Sequence, residues 1–261
     1  MKNITLGDRM KRYEACTVPK LPLNTPVILR VDGRAFHSYT RDFEKPFDDE
    51  FITMMDAAGI ALCSEMMNAK LAYIQSDEIS VLMYPKIYSD VWFGNNVQKM
   101  CSIAASLAST CLTVSHMTYR KKEHEEHTPV ITFDARVFAI PEKDVCNYFV
   151  WRQQDWERNS LNMLAQSYYT QEGLNGLNTA GLHDALHDMG VNWNDLNITK
   201  KRGRCIVYKS PDFVSMDEPD MELLRKNWVV DNEIPIFTKN RNYIEKYLEE
   251  VNADKIRPTE G

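Results

Sequence analysis

Apolar and polar positions follow two rhythms in the first half of the chain. Residues 26–32, with the core Val27-Ile28-Leu29-Arg30-Val31, form a short β-branched run that reads as a buried strand. Asp48 and Asp49 then offer helix caps, and Phe51, Met54, Met55, Ala58, Leu62 and Met66 recur at helical spacing. Two further strands are expected at 71–74 and 79–84, joined as a hairpin by the polar tip Gln75-Ser76-Asp77-Glu78. A second helix is expected over about 91–115, with Val97, Cys101, Ala104, Ala105, Ala108, Cys111 and Leu112 on its apolar face. A fourth strand follows at 130–138. The order β-α-β-β-α-β is the ferredoxin-like, or split βαβ, plan of an α+β fold.

The second half reads as more helical. Pro141 suits the first turn of a helix over 142–169. Gly173, Gly176, Gly181 and Gly190 punctuate shorter helices. A strand is expected at 205–208, a loop at 210–219 and a last helix at 242–251. We read 1–261 as a single catalytic unit, with a βαββαβ core at 1–140 and a helical and strand extension packed on it at 141–261.

In this plan the first two strands run parallel with the third between them. Asp32, ending the first, and Asp77, at the tip leaving the second, then share one edge of the sheet. Two converging carboxylates repel unless a cation compensates. Magnesium does so while keeping waters and substrate phosphates as ligands, and a pair of such ions suits in-line phosphoryl displacement. Gly33 and the turn after it offer backbone groups to a triphosphate. The plainer reading stands beside this one: Asp-Gly is a common turn signal, and Asp77 is then only a hairpin-tip residue.

Composition narrows the picture further. The chain has 261 residues, 44% of them hydrophobic, enough for one large core. A net charge of −6 disfavours a protein that coats nucleic acid with its whole surface. Local basic clusters remain at Arg9-Met10-Lys11-Arg12 and Lys200-Lys201-Arg202-Gly203-Arg204. The six cysteines make no C-x-x-C pair and read as free thiols of a reducing, cytoplasmic compartment. No run of about 18 apolar residues suggests a membrane span, and the start lacks the apolar stretch of a secretory signal. His183 and His187 are spaced i, i+4 without an obvious third zinc ligand; a surface helix is the expectation. His124-Glu125-Glu126-His127 reads as an exposed loop; Trp151, Trp156 and Trp193 could stack on bases, with buried packing the default.

Several stretches resemble the tRNA-histidine guanylyltransferase family, in order over most of the chain. They are Val31-Asp32-Gly33-Arg34-Ala35-Phe36-His37, Phe43-Glu44-Lys45-Pro46-Phe47-Asp48 and Gln75-Ser76-Asp77-Glu78-Ile79-Ser80, followed by Phe133-Asp134-Ala135-Arg136 and Trp151-Arg152-Gln153-Gln154-Asp155. Lys99, the Ala105-Ser106-Leu107-Ala108-Ser109 run and Lys201-Arg202-Gly203 also fit. The resemblance implies a palm-like core that adds nucleotides to the 5′ end of a tRNA, in the 3′-5′ direction. It implies two magnesium ions on Asp32, the Gly33 carbonyl and Asp77, with Glu78 as a further catalytic carboxylate. It implies nucleotide contacts from Asp32, Gly33, Arg34, Ala35, Phe36, His37, Ser76 and Asp77, with Lys45, Lys99 and Arg136 offsetting phosphate charge. Arg152, Asn159, Lys200, Lys201 and Arg202 would contact tRNA. ATP would activate the 5′-phosphate by adenylylation, and the 3′-hydroxyl of GTP or another nucleotide would then displace AMP. A homotetramer or homodimer is implied. Eukaryotic members carry a histidine where this chain has Glu157, while Asn159 is kept. That departure favours template-dependent 5′-end repair over dedicated guanylate addition to tRNA-histidine. The alternatives are a nucleotide cyclase on the same core, or a non-catalytic RNA-binding module.

Overall fold

The computed structural model describes residues 4–85, 91–120, 129–209 and 227–253. The loop expected at 210–219 and the His124–His127 stretch lie outside them. Six strands form one antiparallel sheet: β1 (Val27–Gly33), β2 (Ala69–Gln75), β3 (Glu78–Met83), β4 (Phe133–Ala139), β5 (Arg204–Tyr208) and β6 (Trp228–Asp231), in the order β4-β1-β3-β2-β5-β6. The first four reproduce the expected ferredoxin-like arrangement. The last two continue the same sheet beyond β2, so the two halves of the chain share one sheet.

The helices are α1 (Leu6–Ala15), α2 (Phe36–Tyr39), α3 (Asp49–Glu65), α4 (Val97–Tyr119), α5 (Glu142–Gln166), α6 (Gln171–Leu174), α7 (Thr179–Asp188), α8 (Ile198–Arg202) and α9 (Asn242–Ala253). Alternate residues of β1 explain how they sort. Val27, Leu29 and Val31 pack with Met54, Ala58 and Leu62 of α3 and with Ala104, Ala108 and Leu112 of α4. Ile28 faces the other way, in a cluster with Tyr73, Leu82, Phe149 of α5, and Ile244 and Leu248 of α9. Every residue of β3 is buried, as a central strand covered on both faces should be.

Boundaries moved where local chemistry outweighs apolar pattern. A 3₁₀ turn at Trp92–Asn95 precedes α4, and the Asn96 side chain accepts the Lys99 N–H at 3.2 Å to cap it. The fourth strand starts at Phe133, since Val130 is 90% exposed. α5 stops at Gln166. By length and composition α4 is apolar enough to cross a membrane, which the sequence reading did not expect; here it packs against α3 and β4 as a core helix.

One buried ion pair ties α5 to the sheet. Arg152 Nε and a terminal nitrogen donate to the two oxygens of Glu78 at 2.8 and 2.7 Å. Both side chains are 8% exposed. Removing one partner of such a pair strands a buried charge and costs about 3–5 kcal/mol. Arg152→Ala is therefore expected to lower the melting temperature by roughly 10 °C. A thermal unfolding curve shifted by less than about 3 °C would contradict that role for the pair.

Candidate active site

Two turns meet at the sheet edge formed by the end of β1 and the β2–β3 hairpin. The hairpin loop is two residues long, Ser76 and Asp77, and Ser76 takes a left-handed φ of 45°. The Gly33 N–H donates to the Asp77 carbonyl at 3.1 Å, which locks the two turns together. Gly33 is required here for packing: a Cβ would stand 2.4 Å from the Phe36 ring. That ring is buried against Tyr39, Phe51 and Phe133 and holds the turn down. Ala35 starts α2 at a left-handed φ of 56° and is exposed, as is Arg34.

Asp134, Asp32 and Glu78 lie abreast on β4, β1 and β3 by register. Like charges placed so repel. Glu78 is offset by Arg152 and, at 3.6 Å, by Arg30. Asp134 is offset by Arg136 at 3.3 Å. Asp32 and Asp77 have no lysine or arginine partner among the described residues. Burial raises the Asp77 pKa to about 6, and the negative charge of Asp32 adds to the rise, against hydrogen bonds from its own N–H and Ser76. Among the described residues no three His, Cys, Asp or Glu side chains cluster to hold a metal ion alone. Two carboxylates with the Gly33 carbonyl still suit magnesium, which completes its shell with water and phosphate.

Two cavities flank this edge and share a ridge of Ser76, Asp77, Trp156 and Met163. The first, of about 300 Å³, is aromatic: Phe43, Phe47 and Trp156 line it with His37, Lys45 and Lys200. Phe47 meets Trp156 edge to face at 6.3 Å. Its rim is braced by Asp48, whose oxygens accept the N–H groups of Phe51 and Glu44 and the Arg120 guanidinium. Burial pushes the Asp48 pKa up, but those three donors outweigh it and hold it below the usual carboxylate range. The second cavity, of about 450 Å³, lies between the hairpin and α5, with Asp32, Gln75, Glu78, Asn159, Asn162 and Gln166 on its walls.

The structure thus brings together Asp32, Gly33, His37, Lys45, Ser76 and Asp77 with Phe36 beneath them, places Lys200 at the first cavity and Asn159 at the second. Other expected contacts do not reach the site or are taken up within the fold. Lys99 is in the first turn of α4, ten residues before Ser109, whose hydroxyl accepts the Phe133 N–H beside Gly33. At helical rise that sets it roughly 15 Å toward the opposite edge of the sheet. Arg136 opposes Arg30, two positions back along β1 from Asp32, and is paired with Asp134. Arg152 and Glu78 are buried at the second cavity and bound to each other, so the guanidinium is spent on the carboxylate. The basic cluster is largely neutralised within the fold. Lys200 pairs with Asp49 at 2.8 Å, Lys201 Nζ donates to the Asn194 carbonyl at 2.6 Å, and Arg202 meets Glu157 at 3.2 Å. Arg204, 2% exposed, is bound to Asp56.

Phe43 and Phe47 stand in the sequence only as part of a motif, Asn162 and Gln166 carry no motif, and for Trp156 packing is the default expectation beside stacking on a base. For the residues of α5 the signal is spacing: Arg152, Trp156, Asn159, Asn162, Met163 and Gln166 are set three and four residues apart along one face. His183 rests edge-on against Trp193 at 5.8 Å, on a helix face.

A ferredoxin-like palm sheet, acid-paired at one edge and flanked by an aromatic cavity, defines a palm-type nucleotidyltransferase. The family model described as Thg1, tRNAHis guanylyltransferase, matches residues 7–141. A bacterial tRNA(His) guanylyltransferase (Thg1)-like protein solved in complex with ATP is 38% identical, with a TM-score of 0.81, covering 93% of this chain and 98% of that one. One solved in complex with GTP is 37% identical, with a TM-score of 0.73 and the same coverage. The tRNA(His) guanylyltransferase of Schizosaccharomyces pombe is 29% identical over 208 residues, 71% of this chain and 73% of its own. The chain belongs to the tRNA(His) guanylyltransferase family.

Two outcomes follow from the charge at the edge. Asp77→Asn removes a carboxylate that burial and Asp32 both disfavour; it is expected to leave the melting temperature equal or higher while abolishing turnover. A clear fall in melting temperature would mean the charge holds the fold. A raised pKa means that protons occupy Asp77 below about pH 6 and compete there with cations. Manganese affinity by titration calorimetry is expected to fall progressively below pH 6, and an affinity flat from pH 7 to 5 would contradict this.

Proposed function

We propose that this enzyme extends the 5′ end of tRNA by templated 3′-5′ nucleotide addition, with Asp32, the Gly33 carbonyl and Asp77 holding two magnesium ions. The observation carrying the proposal is a pair of acids, Asp32 and Asp77, with no lysine or arginine partner among the described residues, at a ridge between two cavities. A reaction joining two nucleotides needs two seats with the reacting phosphate between them. When bound, the ions would offset triphosphate charge and lower the pKa of the attacking hydroxyl. The chain itself supplies positioning and electrostatics, the main needs of phosphoryl transfer. Phe43, Phe47 and Trp156 offer aromatic surface to a base. Lys45, whose Nζ is held by the Thr40 carbonyl at 2.7 Å, and exposed His37 stand where phosphates would lie. The ATP and GTP complexes of the bacterial relatives support nucleoside triphosphates as substrates, and the family supports tRNA as acceptor.

Glu157 supports repair over dedicated guanylate addition. The histidine of eukaryotic members is absent, and its place is taken by an acid tied to Arg202. We further propose self-association through the outer face of α4, where Ile103, Val114 and Met117 are 41%, 57% and 44% exposed.

The test is incubation of the protein with a 5′-truncated tRNA, ATP, magnesium and each labelled nucleotide. Extension is expected only with the nucleotide that pairs with the facing 3′ strand. Addition of guanosine regardless of the facing base would contradict templating, and cyclic product from ATP or GTP alone would point to a cyclase.

A further inference from the structure

The two cavities differ in the charge they tolerate. The first is balanced, with Lys45, Lys200 and Arg204 set against Glu44, Asp48 and the ridge acid Asp77. The second has Asp32 and Asp77 on its wall, and its one cation, Arg152, is spent on Glu78 and, at 3.2 Å, on Asp155. A triphosphate brings several negative charges and fits the first cavity. The end of an RNA brings one phosphate and a neutral nucleoside, and fits the second.

The walls of the second cavity carry uncharged hydrogen-bonding groups. Asn159, Asn162 and Gln166 form an exposed amide edge on α5. Beneath them lie two buried polar atoms that no group among the described residues satisfies, the donor Trp156 Nε1 and the acceptor Gln75 Oε1. Their residues are 5% and 4% exposed. The orientation of Gln75 is forced: its amide nitrogen donates to Glu78 Oε1 at 3.3 Å, so its oxygen must point elsewhere. Leaving a buried donor or acceptor unmatched is costly, and proteins rarely do so without a purpose. Met163, unbranched and bordering both cavities, is the side chain best able to shift and uncover them.

We propose that the second cavity seats the 5′-terminal nucleoside of the RNA acceptor. The amide edge of Asn159, Asn162 and Gln166 reads it by neutral hydrogen bonds, and Trp156 Nε1 and Gln75 Oε1 gain a ligand acceptor and donor on its entry. Primary amides offer donor and acceptor together, so this edge accepts any base, as templated addition requires. The inference rests on the proposed function and adds the location and chemistry of the acceptor seat.

The test uses an RNA hairpin with a recessed 5′-monophosphate end. Asn162→Ala and Gln166→Ala each change an exposed position that lines only the second cavity, and leave packing intact. Each is expected to raise KM for the hairpin by about 5- to 10-fold, the worth of one hydrogen bond, with kcat within about twofold and ATP affinity by calorimetry unchanged. Weakened ATP affinity with an unchanged hairpin KM would assign the cavity to the triphosphate and overturn the proposal. No change in either, with wild-type protein extending the hairpin, would reduce the edge to solvated surface and overturn the subsite alone. Wild-type protein that never extends the hairpin would overturn the function and the subsite with it.

Discussion

Arg152 closes on both oxygens of Glu78 inside the protein, and the working edge is arranged around that contact. It joins α5 to the central strand, so the face of α5 that carries Trp156, Asn159 and Asn162 stands at a fixed height above the hairpin. It fixes the amide of Gln75 and also accepts the Ser80 hydroxyl at 3.3 Å. It removes one of three abreast acids from the competition for a cation, while Arg136 removes another. Asp32 is left, beside Asp77 at the hairpin tip, with no positive partner among the described residues. Charge compensation at Glu78 and Asp134 thereby concentrates the need for compensation at Asp32 and Asp77.

The same division explains the two cavities. Aromatic rings and balanced charge lie on one side of the Ser76–Asp77 ridge, neutral amides and an excess of acids on the other. A transfer reaction between a triphosphate and a chain end bearing a single terminal phosphate has that asymmetry built into its substrates. The strained turn at Ser76 and the packed ring of Phe36 hold the ridge in place, at the cost of a left-handed residue and a position closed to any side chain but glycine.

Much of this was legible in the chain. The two-residue and helical rhythms located four strands and two helices of the core, because buried strands and amphipathic helices must show them. The convergence of Asp32 and Asp77 followed from strand order alone. Long-range pairing was not legible. Arg152 and Arg202 looked like RNA contacts, yet each had a carboxylate waiting in the fold, Glu78 and Glu157. Lys99 looked like a phosphate contact by resemblance, but α4 begins at the far edge of the sheet. Gly33 looked like a gap for a ligand and proved to be room for a phenylalanine ring. Asn162 and Gln166 carry no motif; only the helix that aligns them with Trp156 gives them meaning.

The central claim is that Asp32 and Asp77 together grip divalent cations carrying a triphosphate. Anomalous scattering from crystals grown with manganese and a non-hydrolysable ATP analogue measures this directly. Manganese density is expected between the two carboxylates and the phosphates, with the base in the aromatic cavity beside Phe47. Manganese sited elsewhere, or a triphosphate bound away from the Ser76–Asp77 ridge, would contradict it.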